Sequence, residues 1–324
     1  MTEYRVDAQT AATLGRVAVV HGGTSSERPV SLKSGAAVLS ALQRAGVDAF
    51  GIDLGGDQGA ENPVQQLQAA TFDRAFLILH GAGGEDGVLQ GVMEMLVKPY
   101  TGSGVAASAI GMDKLRTKQL WRGAGLPTPP FAVLTQDTDF SAVAAGLGSK
   151  MIVKPVHEGS SIGMSVADDA AGLQQAYNTA AGFDRSVIAE RWMSGAEFTV
   201  GILEGQALPV IKLETSHDFY DYEAKYLAND TRYRFDHELT SAQASELQQL
   251  AEQAFSVLGC HGWGRVDVMQ DEAGNFQLLE INTAPGMTDH SLLPMAAAEA
   301  GICFEALVVK ILLTTVSPNA TACE

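Results

Sequence analysis

Three stretches of this chain place acids, amides and cations at spacings that could do chemistry. The first is GWGRVDVMQDEAGNFQLLEINTAPGMT, residues 262–288. Strands at 264–270 and 275–281 flank Ala273-Gly274 and read as a hairpin. Alternation puts Arg265, Asp267 and Met269 on one face and Val266 and Val268 on the other. In the second strand Glu280 and Asn282 share a face, with Leu279 and Ile281 opposed. A two-residue turn sets Asp267 opposite Glu280 and Arg265 opposite Asn282. Carboxylates ~4 Å apart repel by roughly 4 kcal/mol at an effective dielectric of ~20. Magnesium would neutralise them, because it takes hard oxygen ligands and shares them with phosphates. Asp267, Glu280 and Asn282 supply such ligands with no histidine or cysteine. The plainer alternative is a surface hairpin in which Arg265 balances the acids.

The second stretch is Lys154 at the end of MIVKP, followed by EGSSIG. A turn rich in serine and glycine can present N–H groups and hydroxyls to phosphate oxygens, and the lysine adds a point charge. It is not a Walker A motif, and an ordinary hairpin is the alternative. In the third, Glu190 ends SVIAE and Glu197 opens the next block. A carboxylate beside an apolar groove can accept a nucleobase amine or ribose hydroxyls; an exposed or arginine-paired glutamate is the alternative. GSGVAASA (102–109) mimics a dinucleotide fingerprint but follows no clear strand and lacks the closing acid, so its glycines read as a tight turn. The seven histidines are scattered, with neither HExxH nor GxSxG present, which disfavours triad hydrolysis.

These residues need elements to hold them. RVAVV (16–20), a helix over 31–46, and strands at 47–54 and 74–80 alternate as in a doubly wound parallel sheet. The loops HGGTSSERPVS and HGAGGEDG then fall at strand C-terminal ends, where such sheets bind ligands. A helix over 112–125 and the proline-rich LPTPP mark a boundary. A short α+β block follows, then strands from Glu197, an aperiodic segment at 215–235 that reads as a lid, and a helix over 241–259.

The chain has 324 residues, 46% of them hydrophobic, enough for two or three folded domains. Its net charge of −17 argues against binding nucleic acid or an anionic membrane. Three cysteines without CxxC spacing argue against a disulfide framework or zinc. With no signal peptide and no apolar run of ~18 residues, the expected location is the cytoplasm.

Taken together, HGGTSSERPVSLKSG, LHGAGGEDGVLQG, YTGSGVAASAIGMDK, VKPVHEGSSIGMS, EFTVGIL, FYDYEAKY, GWGRVDVM and LLEINTAPGMTDHSLLPMAA resemble the motifs of the D-alanine–D-alanine ligases, in that family's order, from about Arg16 to about Leu313. The resemblance implies an α/β and α+β chain with the three-domain ATP-grasp fold. The N-terminal doubly wound parallel-sheet domain would span 1–111, the central domain 112–196, and the C-terminal domain 197–324 with the lid at 215–235. It implies ATP and two magnesium or manganese ions, with potassium as a further option. Lys114 and Lys154 would bind phosphates. The backbone and side chains around Glu190, Arg191, Trp192 and Met193 would hold adenine, and Glu197 the ribose. Asp267, Glu280 and Asn282 would bind the metals.

On the amino-acid side, the resemblance gives Glu27 the ammonium of the first D-alanine, supported by Ser160 and Tyr226, with His80 near. Ser291 and the Leu292 backbone would hold the carboxylate of the second D-alanine. Lys225 would touch the transferred phosphoryl group. Arg265 and the Gly286 N–H would stabilise the oxyanion. A cytoplasmic homodimer is expected. Pro29, His157 and Ala82 depart from the family pattern beside key residues. An ATP-grasp ligase for D-lactate, D-serine or another amino acid is the nearest alternative; a noncatalytic ATP-binding regulator is the alternative of another class. A −17 chain that binds ATP must do so with local charge, since surface acids are largely screened beyond ~8 Å.

Overall fold

The computed structural model describes residues 4–55, 62–214, 231–288 and 290–316. The chain opens with α1 (Ala8–Leu14), β1 (Val17–Gly22), α2 (Arg28–Arg44), β2 (Ala49–Leu54), α3 (Pro63–Ala69) and β3 (Arg74–Leu77). The three strands form a parallel sheet in the order β2-β1-β3. β1 is buried on both faces, as a parallel strand between helices must be. Val17 and Val19 pack in the core cluster that contains Val38, Ala41 and Leu42 of α2. Ala18 and Val20 pack with Leu67 of α3. This is the expected doubly wound unit. Because β1 is central, the chain leaves it and β3 in opposite directions, opening a crevice at their C-terminal ends. α2 starts three residues earlier than predicted, at Arg28, because Pro29 stands in the first turn, where its missing N–H costs nothing.

Next come α4 (Val88–Met95), α5 (Val105–Met112) and α6 (Lys114–Gly123). GSGVAASA is therefore a turn that launches a helix, with positive φ at Gly102. β4 (Phe131–Leu134), α7 (Phe140–Leu147), β5 (Met151–Pro155), β6 (Ser165–Ala167), α8 (Ala170–Ala180) and β7 (Val187–Arg191) follow. Their strands form an antiparallel sheet, β4-β7-β5-β6.

The third sheet is built from β8 (Glu197–Leu203), β9 (Gln206–Ala207), β10 (Ile211–Glu214), β11 (Arg232–Arg234), β12 (Trp263–Gln270) and β13 (Phe276–Asn282), with α9 (Ser241–Val257) packed on it. The lid read over 215–235 is too long at its C-terminal end. Arg232–Arg234 pair with β10, where Tyr233 packs at the edge of the core and Arg234 meets Glu214 at 3.1 Å. Residues 215–230 lie outside the described residues. The chain closes with α10 (Leu292–Glu299) and α11 (Phe304–Leu313), which share one core cluster with α2 and Trp263.

The β12–β13 register is the predicted one at its functional end: Arg265 faces Asn282 and Asp267 faces Glu280. The route to it differs. Gln270 pairs with Phe276, so the connection spans 271–275 rather than two residues. A bulge between Asp267 and Val268 then restores the pairing. It also breaks the alternation: Leu278 and Ile281 are both buried in the core, and Leu279 is left aside.

Candidate active site

A cavity of about 1060 Å³ opens at the crevice beyond β1 and β3 and runs to the β12–β13 hairpin. Glu27, His80 and Ser160 line it from one side, Arg265, Glu280 and Asn282 from another. Gly286, Ser291 and Leu292 form a further wall, with Lys114. Asp267, Lys154, Glu197 and 190–193 do not reach this wall. Lys225 and Tyr226 lie outside the described residues.

Glu27 caps α2 by position but makes no side-chain bond to it. Its carboxylate turns instead to the loop after β5, where Ser160 Oγ donates to Oε1 at 2.5 Å. Side chains at Gly81 or Gly159 would each put a Cβ 2.9 Å from Oε2, so backbone closes around this carboxylate. Ser160 and Ser161 adopt φ of +51° and +60° to achieve it, a left-handed strain stored at the loop. His80 is buried, with Nε2 3.2 Å from Ser34 Oγ. Burial pulls its pKa down against the opposing charge of Glu27, favouring the neutral ring.

Across the cavity, Arg265 grips Asp267 with Nε and a terminal nitrogen at 2.8 and 2.7 Å. Thr199 Oγ1 adds a third bond to Asp267 at 2.7 Å. Glu280 Oε2 lies 3.7 Å from Lys114 Nζ, which also donates to the Glu158 carbonyl at 2.6 Å. Asn282 Oδ1 is a buried acceptor with no partner among the described residues. Among the described residues no three His, Cys, Asp or Glu side chains cluster for a metal. The hard-oxygen set here is instead two carboxylates and this orphaned amide, which fits magnesium.

Ser291 precedes α10, and its Oγ accepts the Thr288 N–H at 2.9 Å. The Leu292 N–H at that helix start suits a carboxylate. A Cβ at Gly286 would sit 3.0 Å from Ser291 Oγ, so glycine lets these two lining residues approach closely.

Beneath this wall lies a buried cluster. Glu190, with a side chain 1% exposed, receives Lys154 Nζ at 3.2 Å and Lys118 Nζ at 3.3 Å, both on Oε2. Lys118 is fully buried and also donates to Thr128 Oγ1 at 2.9 Å and the Leu278 carbonyl at 3.4 Å. Burial drives Lys118 down to about 8, although Glu190 opposes it. For Glu190, burial alone would raise the pKa; the two lysines outweigh it and hold the carboxyl below its ordinary value. Glu190 Oε1 is left with no partner.

Among the residues that the resemblance assigns to adenine, the Arg191 side chain is held by its own scaffold, with Nε donating to the Leu147 carbonyl at 2.8 Å. Trp192 stacks under Lys150 Nζ at 4.3 Å, and its backbone N–H donates to the Lys150 carbonyl. Glu197 opens β8 opposite Met269. His157, a departure from the family pattern, clasps Asp184 at 2.9 Å and Asp113 at 3.3 Å, so it ties the loop after β5 to the start of α6.

Sequence reasoning passed over Glu85 and Lys118. Glu85 sits in the HGAGGEDG loop already singled out, and its carboxyl lines the cavity. Lys118 is four residues after Lys114, on the same helix face, which was its one available signal.

Comparison with known proteins agrees with this architecture. The family described as D-ala D-ala ligase C-terminus matches residues 120–313, and D-ala D-ala ligase N-terminus matches 55–103. A D-alanine–D-alanine ligase of Stutzerimonas stutzeri (strain A1501) is 57% identical over 298 residues, covering 92% of this chain and 93% of that protein. A D-alanine–D-alanine ligase structure from Bacillus anthracis superposes with a TM-score of 0.81 at 34% identity, covering 93% of this chain and 97% of that one. A second from that organism, complexed with ATP, gives a TM-score of 0.80 at 30% identity with the same coverage of 93% and 97%. The ATP-grasp fold expected from the sequence is thereby borne out. This chain belongs to the D-alanine–D-alanine ligase family.

Proposed function

We propose that this chain joins two D-alanines into D-alanyl-D-alanine at the expense of ATP, as a supply for peptidoglycan synthesis. The observation that carries the reading is convergence. An ammonium receptor at Glu27, a guanidinium at Arg265 and a carboxylate seat at Ser291 and Leu292 face one cavity. Those are the charged groups of two amino acids meeting head to tail.

In this reading Glu27, braced by Ser160 and Tyr226, holds the first ammonium beside neutral His80. The first carboxylate attacks the γ-phosphorus of ATP; ADP leaves and an acyl phosphate forms. Lys114, Lys154 and Lys225 neutralise phosphate charge, while the backbone and side chains of Glu190, Arg191, Trp192 and Met193, with Glu197, hold the nucleoside. Ser291 and the Leu292 N–H orient the second D-alanine by its carboxylate. Its amine, having lost a proton, attacks the acyl carbon. Arg265 and the Gly286 N–H stabilise the oxyanion, a donor of this kind contributing about 3 kcal/mol. Collapse of the adduct expels phosphate and leaves the peptide bond. Catalysis is thus positioning and charge neutralisation, with no covalently modified side chain.

Asp267, Glu280 and Asn282 would hold magnesium or manganese, which supplies charge neutralisation at the phosphates when bound. Asp267 is already oriented by Thr199 and Arg265. We place the enzyme in the cytoplasm as a homodimer; among the described residues no helix is long and apolar enough to cross a membrane. The deciding experiment is D-alanine-dependent release of ADP with magnesium, with identification of the product. No ADP release sinks the reading. Release with D-lactate or D-serine in preference to D-alanine would move it to a neighbouring ligase.

A further inference from the structure

Three acids line the cavity, Glu27, Glu85 and Glu280, and the roles above make no use of Glu85. Its loop folds back at Gly81, so that Glu85 Oε2 accepts the Gly81 N–H at 2.5 Å. A Cβ on Gly81 would lie 2.9 Å from Glu27 Oε2. Both carboxyls therefore border the same glycine. Among the described residues neither has an ion pair of its own. Arg265, which faces them from β12, is committed to Asp267 through two bonds. His80, at the head of the same loop, is kept neutral by burial. Asp86 turns away, to the N–H groups of Gly83 and Val88. The Ala284 N–H reaches Glu85 from the loop after β13.

A buried carboxyl beside a second one resists ionisation, so Glu85 keeps its proton at neutral pH. Burial, then the charge of Glu27, pushes Glu85 up to about 8, against the pull of the Gly81 and Ala284 N–H groups and Arg265.

We propose that Glu85 completes the amino-acid site: with Glu27 it forms a two-carboxyl receptor for the ammonium of the first D-alanine, and that ammonium displaces the proton that Glu85 holds in the free protein. This rests on the reading of the cavity as an amino-acid site. The balance is simple. A neutral carboxylic acid and an ammonium become a carboxylate–ammonium pair, and one proton goes to the buffer. No bond to carbon changes. Linkage fixes the sign: the free protein holds the proton below about pH 8, so affinity for D-alanine weakens as pH falls from there, approaching tenfold per unit.

The test is calorimetry of D-alanine binding to the full chain with magnesium and a non-hydrolysable ATP analogue, at pH 7 in phosphate and in Tris. Their different ionisation heats report the proton count. The wild type is expected to release roughly one proton as the first D-alanine binds. Glu85→Gln keeps the acceptor for the Gly81 N–H; it is expected to release none and to bind D-alanine with a flat pH profile between 6 and 8. Heat of binding with no buffer dependence in the wild type overturns the proposal, and needs no variant to fold. So does a release that Glu85→Gln leaves unchanged. No binding heat for D-alanine at any pH overturns the amino-acid reading itself, and this inference with it.

Discussion

Two charged clusters flank the site, and they are out of balance in opposite directions. On the cavity wall neither Glu27 nor Glu85 has an ion pair among the described residues, and Arg265 is committed to Asp267. Beneath the wall Lys118 and Lys154 share a single carboxylate oxygen of Glu190. The first region has an excess of acid, the second an excess of cation. Each answers in the same way, by moving one member's titration toward neutrality: Glu85 up to about 8, Lys118 down to about 8. A folded chain could have removed both imbalances with apolar side chains at less desolvation cost. That it keeps them suggests what completes them. An ammonium group restores balance in the first, a phosphate in the second. The overall charge of −17 says nothing of this, because the contrast is local.

The comparison breaks most severely at Glu280, where the acid side meets Lys114 at 3.7 Å. Glu280→Gln keeps the shape and removes the charge. Turnover is expected to fall on the order of 10²–10³-fold, with the melting transition little changed. Near-normal ADP release would remove Glu280 from the metal-binding set.

Lys118→Met tests the cation side. Glu190 keeps Lys154 as its partner, so the pair is balanced and one desolvated charge is gone. Stability at pH 7 is expected to hold or rise slightly, while KM for ATP rises about tenfold, the factor that 1.4 kcal/mol represents. The sign follows from the depressed pKa. Between about 8 and its ordinary 10.5 the unfolded lysine binds more proton than the folded one, so wild-type stability climbs with pH across that window. The variant should lose the climb in urea unfolding. A loss of about 3 kcal/mol at pH 7 would instead make Lys118 a structural strut.

The two clusters were unequally legible in the sequence. The hairpin acids could be read because alternation along β12 and β13 is a local property, and local properties survive without tertiary knowledge. Even so, a five-residue connection (271–275) and a bulge cancelled each other to leave Asp267 opposite Glu280. Alternation alone sees neither, since both depend on backbone conformations that no side-chain pattern marks. Glu85 was hidden because its meaning comes from Glu27, which is 58 positions away and reaches it only through the crevice of the doubly wound sheet. Lys118 reads as an ordinary helix-surface lysine until the second sheet brings Glu190 over it. The contacts of Arg191 and Trp192 were hidden as well: their side chains settle on the Leu147 carbonyl and over Lys150, both on distant parts of the chain.

The smallest effect separates the two things Ser160 does for the acid side. It donates to Glu27 at 2.5 Å, and it occupies a left-handed conformation at φ +51°. Ser160→Ala loses the hydrogen bond and keeps the strain. Ser160→Gly loses the bond and relieves the strain, which costs about 1 kcal/mol for a residue with a Cβ. Both variants should raise KM for the first D-alanine, because Glu27 loses the donor that aims it. The glycine variant should be the more stable of the two by about 1 kcal/mol, a gap measurable in urea. If instead the alanine variant keeps wild-type KM, Glu27 is positioned by the enclosing backbone of Gly81 and Gly159 alone. The acid cluster would then be held as rigidly as the buried cation cluster, and only the charge contrast between them would remain.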